Sequence, residues 1–192
     1  MKPQLYIGNK NYSSWSLRSW FLMRESGIDF DEHRILLDTD TTEGEIGAVS
    51  PSGTVPVLKL DNLTVWDTMA IAETLAERWP EKNLWPNDPD VRAFARSISA
   101  EMHSSFHVLR ECMPMNCRAM GRRVPLPDEL TDDIDRVIAI WSECHKRFGG
   151  EGSWLLGDFS IADAMYAPVV LRLRTYGINL PESAGYSPHR VL

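Results

Sequence analysis

Residues 50–80, "SPSGTVPVLKLDNLTVWDTMAIAETLAERWP", decide the fold of the first half of the chain. Two short apolar runs, "VPVLKL" and "LTVW", flank the pair Asp61-Asn62, which favours a tight turn, so the pattern predicts a β-hairpin. The next run, "DTMAIAETLAERW", carries apolar residues at helical spacing and stops at Pro80, which predicts a helix. The stretch is therefore expected to form a β-β-α unit.

The residues before this stretch supply a further set of alternating elements. Residues 4–8, "QLYIG", predict a short strand, and residues 15–26 predict a helix that Gly27 closes. Residues 28–37, "IDFDEHRILL", alternate between apolar and polar as a strand does, and a polar loop follows them. The order β-α-β, loop, β-β-α is typical of a thioredoxin-like α/β domain.

The second half of the chain has a different pattern. Residues 80–89, "PEKNLWPNDP", hold three prolines and show no periodicity, which predicts a linker over 81–89. Beyond it, apolar residues recur at spacings of three and four in the segments 90–112, 128–148 and 160–176. We therefore expect a thioredoxin-like N-terminal domain (1–80) and an all-α C-terminal domain (90–192).

Composition and charge restrict the function classes. The 192 residues are 43% hydrophobic and 24% charged, the balance of a soluble globular protein. The formal net charge is −7, and the sequence has no basic stripe that could bind phosphates. Both features argue against nucleic acid as a partner. No apolar run is long enough to span a membrane, and the N-terminus lacks the pattern of a secretory signal, so we expect a cytoplasmic protein without membrane contact.

Cysteine placement excludes one kind of chemistry from the first half. The chain has three cysteines, an odd number that does not suggest a disulfide framework. They are Cys112, Cys117 and Cys144, so no thiol is available at the first predicted helix start. A mechanism that needs a redox cysteine there is therefore not expected.

Pro56 is unusual because it begins a strand that pairs into a hairpin, where proline is normally excluded. One explanation is a cis Val55–Pro56 bond, which would present the backbone N–H and C=O of Val55 to an extended peptide. The alternative is a trans proline at a sheet edge. The sequence leaves both open.

Two predicted helices begin with hydroxyl or carboxyl side chains. Ser13-Ser14 precede the first helix, and Asp67-Thr68 precede the helix after the hairpin. Such residues cap helices, because their oxygens accept hydrogen bonds from backbone N–H groups that have no partner within the helix. A helix N-terminus can also bind a carboxylate or a thiolate, and an Asp side chain can bind an ammonium group. Two such starts around Val55 would suit a short peptide with a free α-amino acid end.

These motifs together resemble a known family. Residues 50–80 are similar to the glutathione-binding half of the cytosolic glutathione S-transferases, and "SSWSLR" (13–18) resembles the Ser-Ser-Cys-Ser-Trp-Arg signature of their zeta class. "GDFSIADAMYAPVV" (157–170) resembles the capping box and hydrophobic staple of the family's second domain. There Ser160 would cap a helix and Asp163 would bond back, a structural device.

The resemblance implies glutathione as the thiol cosubstrate, with a serine that activates it. A hydroxyl of the Ser13-Ser14 pair would donate to the glutathione sulfur and favour the thiolate, whose parent thiol has a pKa of about 8.5 when free. We favour Ser14, which is nearer the helix start, and keep Ser13 as the alternative. The remaining glutathione-binding residues implied are Val55, through its backbone and a cis Pro56, and Asp67 and Thr68 for the γ-glutamyl end.

The sequence departs from the zeta pattern at two places. Gly53-Thr54 stand where Lys-Gln commonly precede Val-Pro, so a long side chain for the glycyl carboxylate is missing. Trp15 replaces the signature cysteine, which weakens a specific assignment as a maleylacetoacetate isomerase.

The resemblance also implies that the helix predicted over 90–112 faces the second substrate. The candidates for the wall of this acceptor site are Trp15, Met102, His103, Phe106 and Arg110. On a continuous helix His103 and His107 would share a face at a metal-ligand spacing, but no second pair of ligands stands out, so we expect no metal.

The expected activity is transfer of glutathione to a small electrophile, in a homodimer with two-fold symmetry. The dimer would form around the helix ending near Pro80 and the helix beginning near Pro89. Alternatives are a glutathione-dependent isomerase, a glutathione-dependent peroxidase or disulfide reductase, and a non-catalytic interaction module on the same scaffold.

Overall fold

The computed structural model describes residues 2–148, 154–181 and 184, and the chain divides into two compact units, 1–84 and 85–192. The first unit contains a four-stranded sheet in the order β2-β1-β3-β4. Strand β1 pairs in parallel with β2 and antiparallel with β3, and β3 pairs antiparallel with β4. The strands are β1 (Gln4–Ile7), β2 (Asp31–Arg34), β3 (Val57–Leu60) and β4 (Leu63–Trp66).

The predicted hairpin is present. Its register pairs Leu60 with Leu63, so Asp61 and Asn62 form a two-residue turn. Asp61 adopts a positive φ of 54°, a conformation that Asp tolerates in tight turns. Strand β2 is shorter than the run 28–37 suggested, and its four residues are exposed at the edge of the sheet.

Three α-helices accompany the sheet: α1 (Ser14–Glu25), α2 (Thr42–Gly47) and α3 (Thr68–Arg78). Helices α1 and α3 pack against each other. The core includes the fully buried Leu5, Ile7 and Leu58. Helix α2 lies in the segment that we expected to be a loop; its single buried residue is Ile46, too little apolar periodicity to signal a helix.

The second unit is helical, as predicted. Its helices are α4 (Pro89–Ser104), α5 (His107–Cys112), α6 (Asp128–Phe148) and α7 (Ile161–Thr175). Helix α7 is almost entirely buried, and its Tyr166 packs edge-on against Trp141 of α6 at 6.0 Å between ring centroids. The hydroxyl of Tyr166 donates to the carbonyl oxygen of Ile98 at 3.1 Å. The thioredoxin-like unit and the helical unit confirm the predicted fold class.

The segment 90–112 is two helices, so the prediction of one continuous helix there was wrong. Ser105 is extended and the buried Phe106 has a φ of 63°, which ends α4 and redirects the chain into α5. The guanidinium of Arg110 donates to the carbonyl oxygens of Met102 and His103, two of the acceptors left open at the end of α4. The break is therefore stabilised by a side chain from the following helix.

The predicted bond back from Asp163 is also present. Its carboxylate accepts from the backbone N–H of Ser160 at 2.9 Å, from the Ser160 hydroxyl at 3.0 Å, and from the N–H of Leu155 at 2.8 Å. Asp163 is fully buried, and burial raises its pKa to about 7. Within the described ranges no helix combines the length and apolar character needed to cross a membrane.

Candidate functional site

The two helix starts singled out from the sequence are in contact in the first unit. Ser13 is the N-cap of α1 and Asp67 is the N-cap of α3. The hydroxyl of Thr68, which is 2% exposed, donates to the carbonyl oxygen of Trp15 at 3.3 Å. This bond places the N-terminal ends of two helices side by side, each with backbone N–H groups that favour negative charge.

Asp67 caps α3 in a conformation that few residues adopt. Its carboxylate accepts from the N–H groups of Met69 at 2.8 Å and Ala70 at 3.3 Å. The residue has φ 74° and ψ 137°, a region that costs a non-glycine residue about 1–3 kcal/mol. The side chain is exposed, so a ligand can reach the carboxylate from solvent while Oδ1 accepts from the two N–H groups.

Val55–Pro56 is a cis peptide bond and leads directly into β3. The loop before it is tied by Ser50, whose hydroxyl donates to the carbonyl oxygen of Thr54 at 2.6 Å and accepts from the Thr54 N–H at 3.2 Å. Pro56 is buried and Val55 is half-buried, so the cis bond fixes the backbone of Val55 near the start of a central strand.

The loop between β1 and α1 is held at several points. Asn9 accepts from the N–H of Leu37 at 3.0 Å through its side chain and from the N–H of Ser13 at 2.8 Å through its backbone. A Cβ on Gly8 would lie 2.6 Å from the Leu37 side chain, so a larger residue would require that side chain to shift. The segment that carries the serine pair is therefore preorganised.

A charged and aromatic cluster holds the outer side of this loop. Lys10 pairs with Glu32 at 2.9 Å, and the indole N–H of Trp20 donates to the same carboxylate at 2.7 Å. The Lys10 ammonium lies 4.8 Å from the Trp20 ring centroid. Although burial opposes it, hydrogen bonding to Lys10 and Trp20 lowers the pKa of Glu32.

The serine pair is joined by a third serine that we did not predict. Ser16 is fully buried, and its hydroxyl oxygen accepts from the backbone N–H of Gly8 and from the hydroxyl of Ser13, both at 2.9 Å. Its own N–H donates to Ser13 Oγ at 3.4 Å. The spacing of a cap residue and a serine three positions later was the available signal, but we interpreted "SSWS" only through its first two serines.

The acceptor-site candidates occupy different environments. Trp15 follows the serine pair on α1, and the guanidinium of Arg18 lies 4.5 Å from its ring centroid. Met102 and Phe106 are buried, whereas His103 and Arg110 are half-buried. Burial lowers the pKa of Arg110. The role of these residues toward a second substrate stays a prediction.

His103 and His107 do not share a helix face, because the break at Phe106 places them in α4 and α5. Across residues 2–148, 154–181 and 184, no group of three or more His, Cys, Asp or Glu side chains is arranged to hold a metal ion.

The chain is similar to proteins of one family over most of its length. A family model described as "Glutathione S-transferase, N-terminal domain" matches residues 12–78. Maleylacetoacetate isomerase of Mus musculus is 34% identical over 184 residues, which cover 93% of this chain and 82% of that protein. A stringent starvation protein A homolog of Coxiella burnetii is 26% identical over 190 residues, which cover 97% and 83% of the two chains.

Solved structures show the same fold. A glutathione transferase homolog from Burkholderia, determined with bound glutathione, is similar with a TM-score of 0.72 at 24% identity, covering 100% of this chain and 91% of that one. A glutathione S-transferase from the Antarctic clam Laternula elliptica gives a TM-score of 0.67 at 23% identity, covering 88% and 77%.

Proposed function

Because the chain belongs to the cytosolic glutathione S-transferase family, we propose that it binds glutathione, ionises its thiol and presents the thiolate to a small electrophile. The observation that carries the proposal is the contact between the starts of α1 and α3, through the Thr68–Trp15 hydrogen bond. This contact brings a hydroxyl pair and an exposed carboxylate to one end of the first unit. The neighbouring structure with bound glutathione supports the choice of ligand.

Asp67 and Thr68 are proposed to hold the γ-glutamyl end. The exposed carboxylate of Asp67 can pair with the α-ammonium group of glutathione, and the N-terminus of α3 favours its α-carboxylate. The Thr68 hydroxyl already donates to Trp15, so its backbone is the better candidate for ligand contact. Val55, with Pro56 fixing its backbone, is proposed to pair with the cysteinyl unit as a strand would.

The serine pair is proposed to stabilise the thiolate, with Ser14 as the donor and Ser13 as the alternative. A hydroxyl that donates to sulfur stabilises the charged form and lowers the pKa of the thiol from its free value of about 8.5. The thiol proton leaves to water, and the serine keeps its own proton. Orientation of the bound thiolate against the electrophile supplies the rest of the rate.

Isomerisation is a second candidate, favoured by the relatives named maleylacetoacetate isomerase in Mus musculus and Rattus norvegicus. An isomerase uses the thiolate as a nucleophile that is later expelled, so glutathione is returned unchanged. A transferase consumes one glutathione for each product. Counting the glutathione left after many turnovers with maleylacetoacetate and with an aryl halide therefore separates the two.

The proposed function is tested by turnover and by binding. Purified protein should show saturable glutathione binding by calorimetry and should turn over at least one of an aryl halide, an organic peroxide or maleylacetoacetate. Binding without any turnover would favour a non-catalytic module. Replacing all three cysteines with serine should leave turnover intact, because none of them lies in the first unit.

A homodimer is proposed as the assembly, on the family pattern. Light scattering at micromolar concentration should give twice the mass of 21.8 kDa. A mass equal to that of one chain would refute the dimer and would leave the proposed chemistry unaffected.

A further inference from the structure

The three serines at the start of α1 are not equivalent in their hydrogen bonds. Ser13 donates its only hydroxyl proton to Ser16 Oγ at 2.9 Å, and its oxygen accepts the Ser16 N–H at 3.4 Å. Ser14, one residue further, is 9% exposed, and within the described part of the chain its hydroxyl makes no hydrogen bond. Of the pair, only Ser14 has a proton that is not already committed.

Ser16 creates this difference. A serine oxygen has two lone pairs, and those of Ser16 accept the N–H of Gly8 and the O–H of Ser13. Ser16 is 0% exposed, so no water competes for either bond. A buried acceptor that is fully satisfied holds its donors firmly, because breaking either bond would leave a buried group unpaired.

On the basis of the proposed function, we infer that Ser16 is a positioning residue that retains the Ser13 proton and thereby reserves thiol stabilisation for Ser14. Ser13 then acts as helix cap and Ser14 as the donor to the glutathione sulfur. Ser16 touches neither glutathione nor the electrophile. Its effect passes through Ser13 alone.

This inference predicts an effect of opposite sign to that of an ordinary supporting residue. Removing Ser16 frees the Ser13 proton, so two hydroxyls can donate to the sulfur where one did before. A hydrogen bond to a charged group changes the pKa by about one unit. Ser16→Ala should therefore lower the pKa of the bound thiol, whereas Ser14→Ala should raise it by about one unit.

The experiment is a pH titration of the thiolate absorbance of bound glutathione in four proteins. They are the wild type, Ser14→Ala, Ser16→Ala and the double variant Ser14→Ala/Ser16→Ala. In the double variant the freed Ser13 hydroxyl should replace Ser14 and return the pKa close to the wild-type value. Ser19→Ala is the matched control, since Ser19 lies on the same helix, is 1% exposed and has a hydroxyl without a hydrogen-bond partner among the described residues.

Several outcomes would overturn the inference. A raised thiol pKa in Ser16→Ala would make Ser16 a supporting residue of the donor itself. A double variant that matches Ser14→Ala would show that Ser16 withholds nothing. If Ser16→Ala does not fold, because the Gly8 N–H loses its acceptor, Ser16→Cys keeps the volume with a weaker acceptor and should shift the pKa in the same direction by less.

Calorimetry with S-methylglutathione, which has no thiol, separates this inference from the proposed function. Binding of S-methylglutathione by all four proteins, with thiol pKa values that do not follow the predicted order, overturns the role of Ser16 only. Failure of the wild type to bind either compound overturns both.

Discussion

The hydroxyl of Thr68 donates to the carbonyl oxygen of Trp15 at 3.3 Å, across 53 residues of sequence. This bond joins the first turn of α3 to the first turn of α1, next to the serine pair. Because Thr68 is buried, the bond is shielded from water and sets the spacing of the two helix N-termini. The proposed mode of glutathione binding depends on that spacing.

Thr68→Val should loosen this junction. The substitution keeps the shape of the side chain but removes the hydrogen bond from the Thr68 hydroxyl to the Trp15 carbonyl oxygen, at a cost of about 0.5–1.5 kcal/mol in the free energy of unfolding. Affinity for glutathione should fall as well, because the two helix starts are no longer held together. Urea unfolding and calorimetry measure the two effects.

Thr74→Val on the same helix is the control for that substitution. Thr74 is half-buried, and its hydroxyl donates to the carbonyl oxygen of Ala70, four residues earlier, at 2.8 Å. Thr74→Val should leave the affinity for glutathione unchanged. Equal losses of affinity in the two variants would show that the junction at Trp15 has no particular role.

Asp67→Asn should separate capping from ligand binding. Asn retains an oxygen for the Met69 and Ala70 N–H groups and tolerates a positive φ, so stability should change by less than about 1 kcal/mol. The negative charge for the ammonium group is lost, and glutathione affinity should drop about tenfold or more. An unchanged dissociation constant would remove Asp67 from the ammonium site.

The glycyl carboxylate of glutathione should contribute little to binding. Gly53 and Thr54 supply no cation before the cis bond, and residues 35–58 contain four carboxylates and no Lys or Arg. Esterifying the glycyl carboxylate removes its charge and should therefore change affinity by less than about fivefold, since an exposed ion pair is worth about 1 kcal/mol at most. A loss of a hundredfold would reveal a cation that recognises this group.

Asp163 should make stability depend on pH near neutrality. Its pKa is about 7 in the folded protein because of burial, against 3.8 for an ordinary aspartate. The folded state binds the extra proton, so this residue's contribution to stability is fully present below 3.8 and is lost as the pH rises through about 7. The stability difference between wild type and Asp163→Asn should therefore shrink from about pH 5 to about pH 8.

Asp163→Asn should also be the less stable protein at low pH. Both carboxylate oxygens of Asp163 accept backbone N–H groups, from Ser160 and from Leu155. In the variant an NH₂ group replaces one of these oxygens, so one backbone N–H loses its acceptor, which costs about 1–3 kcal/mol of unfolding free energy. Urea unfolding at several pH values measures both effects. A stability difference that grows with pH would mean that folding lowers the pKa of Asp163 instead of raising it.

Strongly periodic segments were the most predictable part of the fold. The boundaries of α6, at Asp128 and Phe148, coincide with the predicted segment because its apolar residues keep helical spacing throughout. The hairpin followed from the turn at Asp61-Asn62, which is a local signal. The break before α5 could not be predicted from a local signal, because Phe106 is an unusual residue for a positive φ and tertiary packing decides its conformation.

The site was predictable in its residues but not in its hydrogen bonds. Cap residues at two helix starts are visible in any sequence, so Ser13 and Asp67 could be singled out. Ser16 had only the signal of its spacing from the cap residue, and its role could not be predicted, because that role depends on the N–H of Gly8, eight residues away. Which hydroxyl keeps a free proton is a property of the folded network.

The most direct test of the central claim is a calorimetric titration of glutathione at pH 7 in two buffers of different ionisation enthalpy. We predict saturable binding with one glutathione per chain, and a heat that differs between the buffers because the thiol releases its proton on binding. Saturable binding without proton release would leave the thiol protonated and contradict the serine mechanism. No saturable binding at all would contradict glutathione as the ligand, and with it the proposed function.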